Sequence, residues 1–367
     1  MPAYEANIFR LLHLEGDLDF YQPINFFLKW KGHHRENLMS LERTIKIFNP
    51  DLLFVWGMWA LSKSIPALAE QLMPGRVVYY LSDYWPCAID MHTTYWKSPA
   101  RRWPMRVPKR VLSKIAMSML AKEGQPGLDL ERVVCVSARV RELLVEAGLP
   151  IENARIIHGG TDVARFTNGH KRVDLSENAK LLYAGQLVQH KGVHTAIEAM
   201  DKLVNSYRLN QIHLTLVGSG HPEYVALLRD LVNKKHLQDY VTFHKPVTKD
   251  NMPAILQQYQ ILVFPSIYEE PLARVVQEAM ASGLVVVGTN TGGTKEILVD
   301  GENGLTFQPE DADGLAKQIC RLIDNPELSA HLAKAGRHTV VAKFTLNRMV
   351  NEVDSYLLEC LAENSIE

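Results

Sequence analysis

The sequence is poor in cysteine: only Cys87, Cys135, Cys320 and Cys360 occur in 367 residues, with no CxxC pair and no zinc-like spacing. That scatter excludes a disulfide scaffold and suits a reducing cytosol, so the cysteines read as packing residues and a cytoplasmic location is expected. An excess of charge of either sign is also missing. Forty basic side chains face 41 acidic ones, for a formal net charge of -1, and such a balance gives no global attraction to nucleic acid. No apolar run reaches the ~20 residues of a membrane span; the longest candidate, Asp51 to Leu61, is too short. No cationic flank followed by an apolar core opens the chain, so no signal peptide is expected. Fourteen histidines are present, yet no HExxH and no paired His/carboxylate spacing accompanies them, and His33 and His34 read as solvated loop residues. Asp17-Leu18-Asp19 matches the short DxD string of metal-dependent sugar-nucleotide chemistry. A three-residue match with one free position is weak, and turn residues after the run Phe9 to Leu14 explain it better. No metal and no cofactor are therefore expected.

What is present is alternation. Short runs of Val, Ile, Leu and Tyr alternate with longer segments of helical period, the pattern of parallel sheets with crossover helices. In the first half the predicted strands are Ile8 to His13, Leu52 to Trp56, Val77 to Leu81, Val133 to Val136 and Arg155 to Ile157. In the second half they are Leu181 to Ala184, His213 to Val217, Val241 to Phe243, Ile261 to Phe264, Leu284 to Val287 and Leu305 to Phe307. The polar stretch Thr167 to Lys180 reads as a linker. Ala312 to Asp324, Glu327 to Ala335 and Leu346 to Leu361 read as closing helices, with Asn325-Pro326 marking the first break. Length and pattern predict two α/β domains, residues 1–170 and 171–344, and a C-terminal helix, 345–367, packing back on the first.

The most informative segment runs from Phe264 to Gly293: a strand ends, a proline-containing loop follows, and a helix is expected to open near Leu272. Glu278 falls inside that helix and Glu270 in the loop at its mouth. A helix N-terminus offers unpaired N–H groups and a positive dipole end, which suit a diphosphate. Two carboxylates beside it can accept hydrogen bonds from ribose and hexose hydroxyls. The plain alternative pairs Glu278 with Arg274 at i,i+4 on an exposed face, worth ~0.3 kcal/mol, and leaves Glu270 as a loop charge. E-x7-E alone is common; its place between two predicted strands is what raises it. Gly218-Ser219-Gly220 reads equally as a phosphate- or base-side turn and as a tight strand-to-helix turn. Gly292-Gly293 likewise forms either an anion-binding nest or a close crossing.

With these residues in view, the second half resembles family 4 of the glycosyltransferases, a retaining group with the GT-B architecture: α/β, two Rossmann-like domains facing each other across a cleft. The resemblance rests on Phe264-Pro265-Ser266 to Glu270 and on Glu278-Ala279-Met280-Ala281-Ser282-Gly283. Tyr183-Ala184-Gly185 with Lys191-Gly192, Val217-Gly218-Ser219-Gly220, Gly292-Gly293 with Glu296, and Asn303-Gly304 extend it. It implies a retaining, metal-independent transfer of a hexose from a nucleotide-diphosphate sugar to a glycan, glycolipid or small-molecule acceptor. By resemblance Glu270 contacts the transferred sugar, Glu278 the ribose and Lys191 the diphosphate, with Glu270 and Lys191 the catalytic pair. Gly185, Gln186, Gly218, Ser266, Leu272 and Ala273 complete the implied donor site, and Ser82 and Asp83 the first-domain side of the cleft.

Departures from the family pattern are specific. Gln186 stands where an arginine is usual, and an amide lacks the charge-assisted bonds of a guanidinium to phosphate. Ala273 stands where glycine is frequent, and Ser82 where the histidine of a His-Asp pair is common. These differences keep a second class open, a sugar-nucleotide-binding protein of the same fold with impaired transfer; a GT-B epimerase fits the E-x7-E segment less well. The family's usual first strand and glycine-rich turn are also not evident before Phe9, which implies an incomplete acceptor side. Lys97, Arg101, Arg102, Arg106, Lys109, Arg110 and Lys114, interleaved with Trp96 and Trp103, carry no acid among them. Such a stretch attracts an anionic membrane surface, giving weak peripheral contact at the inner face, or is a solvated face. Pro99, Pro104 and Pro108 are expected to forbid one continuous amphipathic helix across it.

Overall fold

The computed structural model describes residues 8–15, 21–100, 103–124, 126–166, 175 and 178–364. Compactness divides the chain into two units, the first comprising 1–135, 141–156 and 355–367 and the second 136–140 and 157–354.

The first unit carries a four-stranded parallel sheet in the order β1-β2-β3-β4, with β1 Leu53–Trp56, β2 Val77–Leu81, β3 Arg132–Cys135 and β4 Arg155–Ile156. Its helices are α1 Pro23–Phe48, α2 Ser64–Leu72, α3 Met91–Lys97, α4 Arg106–Glu123 and α5 Ala138–Glu146, whose first turn belongs to the second unit. β2 is buried along its whole length, as expected of a parallel strand covered on both faces. The end of the last helix, α12 Leu346–Asn364, packs here: Arg132 donates to the Cys360 carbonyl at 3.0 Å, and Arg155 is paired with Glu359 at 2.6 Å.

Three expectations need correction. Ile8 to His13 is not a strand. No strand partner pairs with it among the described residues, and Asn37 instead takes its backbone, accepting from His13 N–H at 2.7 Å and donating to the His13 carbonyl at 2.9 Å. Ile8, Phe9, Leu11, Leu12 and Leu14 stay exposed. His33 and His34 lie within α1 rather than in a loop, and the His33 ring stacks on His13 at 4.2 Å. Pro108 does not break the basic stretch, because it falls in the first turn of α4, where a proline costs no intrahelical bond. Helix α3 ends at Lys97, and residues 98–100 after it are not helical. Asp17, Asp19, Arg101, Arg102, Asn168 and Gly169 lie outside the described residues.

The second unit carries six parallel strands in the order β10-β9-β8-β5-β6-β7: β5 Ala179–Ala184, β6 Ile212–Val217, β7 Val241–His244, β8 Ile261–Phe264, β9 Val285–Thr289 and β10 Leu305–Phe307. Numbered within the unit this is 3-2-1-4-5-6, the doubly wound order whose reversal point lies between the first and fourth strands, here β5 and β8. Helices α6 Val193–Asp201, α7 Pro222–Lys234, α8 Met252–Leu256, α9 Arg274–Ala281, α10 Ala312–Asp324 and α11 Pro326–Lys343 cover the faces. Leu181, Ile197, Leu214, Ile261, Val285 and Ile319 meet in one buried core, each worth roughly 1.5–3 kcal/mol of burial. β5 pairs with β6 over six residue positions but with β8 over only two, Leu181 with Ile261 and Leu182 with Leu262.

Candidate functional site

The reversal point holds a cavity of about 320 Å³ at the carboxyl ends of β5 and β8. Gly185, Gln186, Lys191, Ser266, Glu270, Leu272 and Ala273, all singled out from sequence, line it together with Tyr183 and Arg274. Each arrives for a local reason. A 3-10 turn over Gln189–Lys191 ends on Gly192, whose φ of +65° is in the left-handed region, and a Cβ there would collide with the Pro265 carbonyl. That close approach lets the His190 carbonyl accept from Ile267 N–H at 2.9 Å and Tyr268 N–H at 3.1 Å. The Lys191 loop is thus tied to the Glu270 loop.

Their side chains meet. Lys191 Nζ lies 2.5 Å from Glu270 Oε1, and Ser266 Oγ donates to the same oxygen at 2.7 Å. Glu270 is buried, only 8% exposed, and a buried carboxylate is tolerated when paired in this way. Its backbone is fixed too: the Glu270 carbonyl accepts from Gly293 N–H at 2.7 Å, and the Pro271 carbonyl from Ser137 Oγ at 2.7 Å. A Cβ on Gly292 would strike the Glu270 backbone, so the glycine pair makes the close crossing. Gly218 and Gly220 likewise press against the carbonyls of Gly185 and Leu187, which marks a tight turn.

Helix α9 begins at Arg274, two residues later than expected, with Ala273 as its N-cap. Arg274 therefore stands exposed at the helix mouth and on the cavity wall, a cation that sequence reasoning assigned only to a pair with Glu278. Its position at the start of the helix was the available signal. Glu278, one turn further on, is half-buried rather than on an open face, and it is not part of the cavity wall. Burial pushes its carboxyl above the usual range, against the pull of Arg274, Lys249 and Arg165. Gly218 is not part of the wall either. Beside Lys191, His190 is held below its ordinary pKa by burial and by the lysine charge. In the first unit, Ser82 and Asp83 directly follow β2; Asp83 accepts from Trp85 N–H at 2.7 Å, and burial raises its carboxyl. Among the described residues no group of three His, Cys, Asp or Glu is placed to hold a metal ion.

Comparison with known proteins identifies this architecture. The family described as Glycosyltransferase Family 4 matches residues 12–165, and that described as Glycosyl transferases group 1 matches residues 167–339. The two matches abut, and the chain belongs to these glycosyltransferases. Among relatives, a glycogen synthase of Mycobacterium tuberculosis is 29% identical over 217 residues, which are 59% of this chain and 51% of that protein. An alpha-D-kanosaminyltransferase of Streptomyces kanamyceticus is 28% identical over 271 residues, 71% of this chain and 67% of its own. The chain thus spans about half the length of the first relative. Among solved structures, Anabaena Alr3699/HepE in complex with UDP and glucose superposes with a TM-score of 0.67 at 19% identity, covering 88% of this chain and 81% of its own. A sucrose-phosphate synthase of Thermosynechococcus elongatus gives 0.68 at 19% identity, covering 94% and 81%. These likenesses show the fold, that of GT-B enzymes with two Rossmann-like domains.

Proposed function

We propose that the chain is a retaining, metal-independent glycosyltransferase that moves a hexose from a nucleotide-diphosphate sugar to a glycan, glycolipid or small-molecule acceptor. The observation that carries the reading is the cavity at the reversal point, with Lys191 paired to Glu270 and Arg274 at the helix mouth. Ligands of doubly wound sheets bind at that point. UDP bound to the structural relative, and the UDP-sugar class it represents, match a site that offers two cations to a diphosphate and a carboxylate to a sugar.

Departure of the nucleoside diphosphate builds negative charge on its phosphate oxygen. Lys191, Arg274 and the first N–H groups of α9 lie where that charge would be stabilised before reaction begins. The acceptor hydroxyl attacks the anomeric carbon on the face the diphosphate leaves, and its proton passes to the departing phosphate oxygen, so configuration is kept. Metal independence follows from this division of labour, in which protein cations meet the diphosphate charge. Glu278, near the ribose by resemblance, and Ser82 and Asp83, on the acceptor side, complete the assignment. Membrane contact belongs to the same reading: Arg106, Arg110 and Lys114 are exposed along α4 beside exposed Val107, Val111 and Ile115, an arrangement that suits a peripheral position on an anionic cytoplasmic face. No helix among the described residues is long and apolar enough to cross a membrane.

A second reading, nucleotide-sugar binding with little transfer, is favoured by Gln186, whose amide stands on the wall where the resemblance expects a guanidinium, and by Ser82. One experiment separates them. Thermal shift with UDP, GDP, ADP and their sugars, each with and without EDTA, identifies a donor by stabilisation of the folded state, and release of free nucleoside diphosphate in the presence of acceptor sugars reports transfer. Stabilisation without turnover supports the second reading; no stabilisation by any nucleotide refutes both.

A further inference from the structure

The first N–H groups of a helix have no partner within it, and at the start of α5 all three are met by side chains. Ala138 N–H donates to Glu296 Oε2 at 3.0 Å, Arg139 N–H to Glu296 Oε1 at 3.1 Å, and Val140 N–H to Ser137 Oγ at 3.1 Å. Both oxygens of one carboxylate, distant in the chain, are thus engaged, and Oε2 also accepts from His158 Nε2 at 2.8 Å. Burial would raise the Glu296 carboxyl, but these bonds hold it below its ordinary range, so it stays an anion that accepts all three. A single capping side chain is usual at a helix start; this one takes up in addition a carboxylate that is only 17% exposed.

The capped turn reaches the loop that carries Glu270. Ser137 Oγ, in a fully buried residue, donates to the Pro271 carbonyl at 2.7 Å, and Arg139 Nε donates to Glu269 Oε2 at 3.2 Å. The 3-10 turn Gly292–Glu296 holds the same loop directly, through Gly293 N–H on the Glu270 carbonyl at 2.7 Å. The bonds close a circuit from Glu270 through Gly293 to Glu296, across to the start of α5, and by Ser137 and Arg139 back to the loop. Glycine at 293 permits it, because a Cβ there would strike both the Pro271 carbonyl and Ser137 Oγ.

We infer that Glu296 is a positioning residue for the Lys191–Glu270 pair: by locking the first turn of α5 it fixes Ser137 and Arg139 against the 269–271 loop, and so sets where the Glu270 carboxylate stands beside Lys191. Its importance for transfer rests on the proposed function; the placement of the pair does not. Glu270 projects from a segment that is neither helix nor strand, so its aim is as definite as the backbone on either side of it. The Glu270 and Pro271 carbonyls are the two fixed points. Glu296 stands behind both, one through the turn that it ends and the other through the helix start that it caps. A misplacement of about 1 Å at a reacting group is enough to cost ~100-fold in rate.

The test reads the pair itself. Competitive acetylation of the full chain with acetic anhydride, followed by mass spectrometry, gives the labelling of Lys191 relative to Lys235, which pairs with Asp201. An amine held against its carboxylate is shielded from the reagent, and Glu270→Gln, which releases the lysine, sets the upper mark. Glu296→Ala and Ser137→Ala are each expected to raise Lys191 labelling severalfold toward that mark. Glu296→Gln, which keeps one acceptor oxygen, should fall between wild type and Glu296→Ala. The double variant should go no further than the worse single one, because both residues act through one circuit. Circular dichroism confirms which variants are folded, and Ser137→Ala and Glu296→Gln decide the matter where Glu296→Ala does not fold. Unchanged Lys191 labelling in every folded variant, or effects that multiply in the double variant, overturns the inference. With a nucleotide sugar that the chain turns over, kcat should drop about tenfold in the alanine variants while KM stays within about twofold, and a change in KM alone would also overturn it. If no nucleotide binds, the donor assignment fails, whereas the labelling still decides the positioning.

Discussion

Lys191 and Glu270, 79 positions apart in the chain, form an ion pair at 2.5 Å on the wall of the reversal-point cavity. The lysine that would meet a diphosphate is already engaged by the carboxylate that would meet the sugar. On the proposed reading a donor would enter between partners that hold one another, and the pair would link donor binding to the placement of both groups.

Removing one partner should therefore have unequal effects. Lys191→Ala is expected to weaken UDP binding by roughly 1.5–3 kcal/mol, the usual loss for a charged hydrogen bond, and Glu278→Ala by a similar amount if ribose lies beside it. Glu270→Gln releases the lysine, so UDP affinity should hold or rise while transfer falls. Calorimetry with UDP and a turnover assay on the three folded variants check this, and a parallel fall of UDP affinity in Glu270→Gln would contradict the assigned division of roles.

Arg274 and Gln186 line the same wall. If Arg274 supplies the cation that Gln186 lacks, Arg274→Ala should cost nucleotide affinity about as much as Lys191→Ala. Gln186→Arg should then restore a good part of it in the double variant, because a guanidinium at either place can bond phosphate in two-pronged fashion. A double variant no better than Arg274→Ala would show that position 186 does not face phosphate.

Most of this was legible in the sequence because parallel strands buried on both faces read as plain apolar runs. Ten of the eleven predicted strands occur within a residue or two of their expected bounds, and Val77–Leu81 matches fully. The eleventh, Ile8 to His13, has strand composition, but pairing is a long-range property, and at its end Asn37 takes the His13 N–H and carbonyl from a helix. The candidate site was legible where glycine and charge coincide, as at Lys191-Gly192. Arg274 was missed because the start of α9 decides whether that side chain faces a neighbour on the helix or the cavity, and two residues of drift in a helix boundary change the answer. The bonds from Glu296 to Ala138, Arg139 and His158 had no sequence signal, since three separate segments build them.

A stretch of exposed basic and apolar side chains along α4 predicts measurable membrane affinity. Vesicles containing anionic lipid should pellet the protein at low salt, with binding fading as salt shortens the Debye length toward ~8 Å and below. Arg106→Glu together with Arg110→Glu should abolish pelleting without loss of helicity. Equal pelleting with neutral vesicles would remove the electrostatic reading.

Glu15 carries a pH signature. Burial, reinforced by Asp90, raises its carboxyl to about 7, so the folded state holds a proton that the unfolded chain releases near pH 4.5. That contribution favours folding at low pH and is lost as pH climbs from about 4.5 to 7. Glu15→Gln removes the loss, and its stability relative to wild type should grow across that window by an amount of order 3 kcal/mol. Urea melts at pH 4.5, 6 and 8 give the difference, and a constant offset would mean that Glu15 titrates normally.

The two-position pairing of β5 with β8 has a bearing on how such a chain can diverge. Where the strands part, the hollow opens at their carboxyl ends, a place set by how the strands pair. Replacement of Gln186, Ala273 or Arg274 alters which molecule is welcome there, whereas closing the hollow would require the sheet to re-pair. A protein built this way can drift through many ligand preferences while its fold stays intact.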